Sequence, residues 1–341
     1  MILREIKYDF MRYAKKCFFS ENYSVFCTGR TAFICDRKFN LIHKAEKLSY
    51  VHHAAFSPDE KNLLLISTLN LFYILNLQDF SMTKHVIRGK YNYDLDGRGC
   101  WSLDGKLIYL LVSNPKTLNS ALRCYNPDDG FSYVDFYAEK YWLQQIVPVK
   151  ELGKYLLIGL DRNKAGANRE DCQNLLWFDG NNLEEHPIEE MYLDVIHSAE
   201  YDAKTNTVMV YGHDRTIRCD IHGKCLDDIP VPEEGKITAS FSDVFKDLEL
   251  SGEDFESVKS LSASLGMENI SISDSIYKMC LSSDGGKVYI ATHLGLFVVN
   301  AATHEIMAKK KVDYGVQDIM EISPNKIAIA TWNGVKVFEV I

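Results

Sequence analysis

The sequence has no long apolar run. The densest aliphatic stretch is Leu63 to Ile66, far short of the roughly 20 residues a helix needs to cross a bilayer. Arg4, Glu5, Lys7 and Asp9 interrupt the first residues, so no signal-peptide core is present there. Proline is scarce at 8 and glycine modest at 20, which excludes collagen-like and long low-complexity stretches. Basic charge is in deficit: Lys and Arg number 38 against 47 Asp and Glu, a formal charge of −9. Such a chain repels phosphate backbones and anionic lipid at long range, so neither nucleic acid nor membrane is an expected partner. The Lys309–Lys311 run reads as a solvated sheet edge. The nine cysteines stand singly, with no C-x-x-C pair. Scattered thiols in odd number fit a reduced, cytoplasmic protein. The nucleophile elbow, the P-loop, the dinucleotide fingerprint and the H-E-x-x-H zinc motif are all missing.

What remains is a globular composition, 46% hydrophobic and 25% charged, enough to bury a core. Aromatics are abundant, with 19 Tyr and 17 Phe, and they favour β structure. A degenerate unit recurs. Its copies include Tyr50 to Asn76, Gly99 to Tyr125, Tyr277 to Asn300 and Val316 to Phe338. Each copy has a short apolar strand, a polar turn, a second strand, and a third strand after a loop. The turns are Ser57-Pro-Asp-Glu60, Ser102-Leu-Asp-Gly105, Ser283-Asp-Gly-Gly286 and Ser323-Pro-Asn-Lys326. Ser, Pro, Asp and Gly serve there through fixed φ, side-chain hydrogen bonds and positive φ.

Asp36, Asn76, Asn126, Asp179, Asp220 and Asn300 close successive third strands. The last interval is about two periods long and contains a different pattern. Ser251-Gly-Glu-Asp254 resembles a helix start, Phe255, Val258, Leu261 and Leu265 follow at helical spacing, and Gly266 stops them. This predicts a helical insertion at about 235–270, within a connection spanning 231–275. The units are then 15–48, 49–88, 97–138, 142–190, 194–230, 276–312 and 316–341. The last has only three strands, while Ile2–Tyr8 supplies a spare strand at the start. Pairing the two predicts an all-β, seven-bladed β-propeller, one domain over 1–341, closed by the N-terminal strand in the last blade.

The units Ser283–Thr292 with Leu296–Glu305, and Ser102–Tyr109, resemble the YVTN and WD-repeat-like propellers. The resemblance departs from true WD repeats, because Trp101, Trp142, Trp177 and Trp332 are followed by Ser, Leu, Phe and Asn. No WD hydrogen-bond tetrad carries over, and the resemblance implies a fold more than a function.

In such a blade the second-to-third-strand loop and the connection to the next blade share one end. The long excursions Arg88–Gly97, Ser113–Ser120, Asp161–Asn174 and Pro230–Ser275 all fall there, which predicts a working face. Its candidate binding residues are Arg30, Asn70, Arg88, Tyr91, Tyr93, Arg98, Arg162, Lys164, Arg169, His213, Arg215, His293 and Trp332. Tyr, Trp and Arg are the usual anchors of protein interfaces. The expected function is therefore a non-catalytic scaffold for a protein or peptide partner. The alternative, drawn from the resemblance, is a lactonase-like or lyase-like propeller acting on a small molecule. His213 and His293, with Asp214, would then be catalytic. Cys219, His222 and Cys225 have a spacing that could supply soft metal ligands. Strand alternation, however, sends Cys219 to the side of Ile217 and Ile221, and His222 falls in a turn, so no metal and no cofactor are expected.

Overall fold

Short β-branched and aromatic runs bounded by Ser, Asp, Asn and Gly turns leave strands as the dominant element. The structure is a computed structural model of the 341-residue chain. It describes residues 2–7, 16–91, 98–114, 116, 119–136, 141–161, 173–188, 196–212, 215–230, 238–240, 256–257, 260, 271–273, 276–292, 295–312, 316–331 and 334–341.

After β1 (Leu3–Lys7) the first antiparallel blade is β2 (Lys16–Phe19), β3 (Tyr23–Cys27), β4 (Ala32–Asp36) and β5 (Leu41–Ala45). The second is β6 (Val51–Phe56), β7 (Asn62–Ser67), β8 (Leu71–Asn76) and β9 (Met82–Val86). The third is β10 (Gly99–Trp101), β11 (Ile108–Ser113), β12 (Ser120–Asn126) and β13 (Ser132–Phe136). The fourth is β14 (Tyr141–Val149), β15 (Lys154–Asp161), β16 (Gln173–Phe178) and β17 (Leu183–Pro187). The fifth is β18 (Ile196–Asp202), β19 (Thr207–Gly212), β20 (Arg215–Asp220) and β21 (Cys225–Pro230). A two-stranded sheet of β22 (Thr238–Ser240) and β23 (Ser271–Ser273) follows. The sixth blade is β24 (Ile276–Leu281), β25 (Lys287–Thr292), β26 (Gly295–Asn300) and β27 (Ile306–Lys311). β28 (Val316–Ser323), β29 (Lys326–Thr331) and β30 (Gly334–Val340) form the seventh with β1, which pairs antiparallel along β30 from Leu3↔Val340 to Lys7↔Lys336.

The fold is thus an all-β, seven-bladed propeller with the N-terminal strand in its last blade, as the repeat pattern predicts. The expected insertion starts and ends in strand, because Thr238–Ser240 pairs with Ser271–Ser273. Glu256, Ser257 and Ser260 are helical; the rest of the predicted helix lies outside the described residues. Among the described residues no helix is long and apolar enough to cross a membrane.

By its internal contacts the chain divides into two compact units. One comprises Met1–Tyr13, His213–Thr216 and Ile229–Ile341, the other Ala14–Gly212 and Ile217–Asp228. In the second, the core lies in layers between successive blades. Val25, Ile34, Ala54, Leu63 and Tyr73 fill the first layer, and Leu64, Phe72, Trp101 and Leu110 the next. Leu111, Tyr141, Leu157 and Phe178 follow, then Leu156, Trp177, Val210 and Ile217. In the other unit Tyr289, Val298, Ile319, Ile329 and Phe338 pack together with Leu3.

The first strand of five blades carries a β-bulge near its start, at Val51/His53, Leu143/Gln145, Ile196/Ser198, Ile276/Lys278 and Val316/Asp318. A bulge re-aims the residue that follows it, and several of those residues tie one blade to the next. His53 Nε2 donates to Gly99 O at 2.9 Å. Gln145 Nε2 donates to Ala199 O at 2.6 Å while its Oε1 accepts from Ala199 N at 2.9 Å. Lys278 pairs with the buried Asp318. Trp101 Nε1 adds a bond to Ala55 O at 3.2 Å, one repeat away.

Candidate binding face

In a four-stranded antiparallel meander, the loop between the second and third strands and the exit to the next blade lie at the same end. Over the first two blades these segments are fastened together through their backbones, and a side chain of the third blade joins them. Leu48 N donates to Arg30 O at 3.1 Å and Val51 N to Gly29 O at 2.8 Å. Thr68 N donates to Tyr50 O at 3.2 Å, and Ile87 N to Asn70 O at 2.9 Å. Arg123 Nη1 then donates to Arg88 O at 2.5 Å. Arg30, Tyr50, Asn70 and Arg88 therefore stand along one continuous strip.

An open depression of about 580 Å³ lies on this strip, lined by Arg30, Thr31 and the Glu46–Tyr50 segment. Leu48 forms a buried floor. Lys44 Nζ holds Glu46 Oε1 at 2.5 Å. Three non-glycine residues here have left-handed backbone: Lys47 at φ 61°, Tyr50 at 48° and Asn70 at 60°. For a bulky residue such as Tyr50 this conformation costs energy and persists only where surrounding bonds enforce it. The Ser67 hydroxyl bonds Ser49 O, and Thr68 N bonds Tyr50 O, so the enforcement is local.

The predicted face residues occupy different environments. Arg30 and Arg88 are exposed, and Lys90 beside Arg88 is exposed as well. Asn70 is half-buried. Arg98 is half-buried, with Nη1 on Gln144 O at 2.5 Å, so its guanidinium braces the bulge of β14. Tyr91 is buried among Ile66, Phe72 and Trp101, so its ring is part of the core rather than of the open surface. Arg215 opens β20, but its side chain is outside the described residues. So are Tyr93, Arg162, Lys164, Arg169, His213, His293 and Trp332, and with them Asp214 of the alternative catalytic set.

The sequence reading missed three apolar side chains on this strip. Tyr50 is 55% exposed, Leu69 52% and Val86 51%. Leu69 and Val86 flank Asn70 and Ile87, which are joined by the backbone bond above. The signal was available: Leu69 breaks an otherwise polar turn, Thr68-Leu69-Asn70. Gly89 is fixed by its surroundings, with φ 96° and a Cβ position only 2.5 Å from Tyr133 Oη.

No protein-family model matches the chain, and no curated protein is similar to it in sequence. Solved structures are similar in fold. One is the β-propeller domain of Cps50 (Swd1) from Myceliophteria thermophila, with a TM-score of 0.65 at 10% identity over 99% of this chain and 98% of that one. Another is the hydrazine synthase of Kuenenia stuttgartiensis, with a TM-score of 0.67 at 10% identity over 98% of this chain and 97% of that one.

Proposed function

We propose that this propeller is a non-catalytic scaffold that binds a protein or peptide partner on its loop-rich face. The observation that carries the reading is the strip Arg30–Tyr50–Leu69–Arg88. It sets exposed guanidinium groups beside exposed aromatic and aliphatic side chains, on loops stitched together by backbone bonds. Arg and Tyr are enriched at interface hot spots because they combine directional bonds with a large apolar surface. A rigid platform lowers the ordering cost of binding. The fold does not decide between scaffold and enzyme, since one of the similar folds is a synthase by name. The exposed strip is what favours a partner.

The test is affinity capture from native extract. The wild type is set beside Arg30→Glu/Tyr50→Ala/Arg88→Glu and beside a control, Lys106→Glu/Lys150→Glu, whose exposed lysines lie in turns between first and second strands, at the opposite end of the blades. A protein retained by wild type and control but lost by the triple variant is the expected result. Equal retention by all three would sink the assignment of this face.

A further inference from the structure

Glu184 and His186 lie two residues apart on β17, the edge strand of the fourth blade, so the pleat puts both on one face. His222 lies in the turn between β20 and β21 of the next blade. One ligand atom from each of these three side chains lies within 4.8 Å of the other two. His186 Nε2 is 3.1 Å from Glu184 Oε1, and the two imidazole centroids are 5.1 Å apart at 64°. A tetrahedral ion with bonds of about 2.0–2.1 Å sets its ligand atoms about 3.3 Å apart. The His186–Glu184 pair already has that separation. His222 is exposed, so its ring has room to turn inward.

The surroundings hold these groups in place. Trp177 Nε1 donates to Ile221 O at 2.8 Å, which fixes the turn against the fourth blade. Asp220 Oδ1 accepts from His222 N and Lys224 N, each at 2.9 Å, which sets the local backbone. Lys154 Nζ occupies Glu184 Oε2 at 3.0 Å and leaves Oε1 to face the imidazole.

We propose that Glu184, His186 and His222 bind one divalent cation of the zinc type, clipping the edge strand of the fourth blade to the turn of the fifth. Two imidazoles and one carboxylate suit a borderline ion and are a poor set for calcium or magnesium, which take oxygen ligands. Three protein ligands leave a fourth position for water. On binding, the ion takes the position between His186 Nε2 and Glu184 Oε1, and the proton held there passes to water. The sequence spacing points instead to Cys219 and Cys225 as companions of His222. Cys219 is buried in the layer with Val210 and Ile217, and burial pushes its thiol up to about 12, which leaves it a poor ligand.

The test is titration of the full chain with zinc against a chromophoric chelator. One zinc per chain is expected. His186→Ala and His222→Ala should each weaken it more than about 10-fold, since even outer-shell partners are worth that much. Cys219→Ser and Cys225→Ser should leave the affinity unchanged, and the cobalt-substituted protein should show no thiolate charge-transfer band. Zinc should raise the melting midpoint of the wild type and not that of the His186→Ala/His222→Ala variant. His186→Gln and His222→Gln serve if an alanine variant melts abnormally without metal. Three results would overturn the proposal: no stoichiometric zinc, wild-type affinity in the histidine variants, or dependence on Cys225.

Discussion

Arg123 and Asp135 face each other across β12 and β13 in a two-pronged ion pair, Nε to Oδ1 at 2.6 Å and Nη2 to Oδ2 at 2.8 Å. The Arg123 side chain has no exposed surface, while that of Asp135 is 23% exposed. The guanidinium lies over the Tyr133 ring at 4.0 Å, and its remaining prong holds Arg88 O. One buried cation therefore supports the backbone from which the exposed Arg88 projects. Removing one partner of a buried pair strands the other and typically costs about 3–5 kcal/mol. Asp135→Asn and Arg123→Met are each expected to approach that range, with Asp135 somewhat relieved by water after Arg123→Met. Arg123→Lys should not rescue, because an ammonium cannot bond both oxygens and a carbonyl in this planar arrangement. Denaturant midpoints at constant slope measure the effect; losses under about 1 kcal/mol would refute the role.

Acid should unfold the protein in two stages. Desolvation pushes the His53 imidazole down to about 3 while it donates to Gly99 O. An unfolded histidine titrates near 6.5, at about its reference value. The unfolded chain thus takes up this proton first, and stability falls as pH drops from about 6.5 toward 3. The turn aspartates act lower. Asp59, Asp104 and Asp284 are held below the ordinary carboxylate range, chiefly by hydroxyl bonds from Ser57, Ser102 and Ser282. Their contribution is complete above the unfolded carboxylate value of about 3.9 and is lost as pH falls through their folded values. His53→Gln should flatten the upper stage and leave the lower. Ser102→Ala should move the lower stage to higher pH. Urea midpoints measured from pH 7 down to about pH 2 separate the two, and an unaltered upper stage in His53→Gln would refute the first assignment.

These turns show what could be read beforehand and what could not. The motif around Ser57 and Ser102 was legible because local hydrogen bonds define it: the serine Oγ donates to Asp59 or Asp104 at 2.7 Å and accepts a backbone N–H five residues on. In the sixth blade Ser282 and Ser283 stand side by side, and the sequence pattern alone points to Ser283. The bonding residue is Ser282, at 2.6 Å from Asp284; Ser283 N bonds Glu321 Oε2 instead. The seventh-blade turn at Ser323–Lys326 is a tight hairpin in which Asn325 takes φ 60°. Blade number and the exchanged strand were legible because they follow from periodicity. The polar ties at His53, Gln145 and Lys278 were not, because a bulge shifts the side-chain alternation by one residue. The Glu184–His186–His222 cluster was invisible for a simpler reason: its members come from two blades, and no spacing within one strand joins them.

Strand β1 should be indispensable although it is short. It covers β30 along five paired positions, and Leu3, 7% exposed, packs with Ile329, Phe338 and Val340. Leu3→Ala should cost about 2–5 kcal/mol, the usual range for a buried leucine. Removing residues 2–7 should do worse, because it uncovers the backbone of an apolar edge strand, Val335–Val340, and invites pairing between chains. Size-exclusion chromatography of the truncated protein should show higher oligomers or aggregate. A monomer with the wild-type melting midpoint would refute the role of the strand.

The thiols offer a probe of the interior. The eight described cysteines stand as thiols. Burial pushes Cys27, Cys35 and Cys219 up to about 12, and Cys100 above that. Since the thiolate is the reacting form, each of these is protected twice, by missing access and by missing charge. Cys124 and Cys225 are half-buried, so a disulfide reagent in excess should label them first among the described cysteines. The buried set should react only as fast as the blades open, and therefore together once denaturant exceeds the unfolding midpoint. Mass spectrometry of samples quenched at intervals assigns each site. If Cys27 or Cys219 labelled in native buffer as fast as Cys225, the layers between the blades would have to open far more often than a packed core allows.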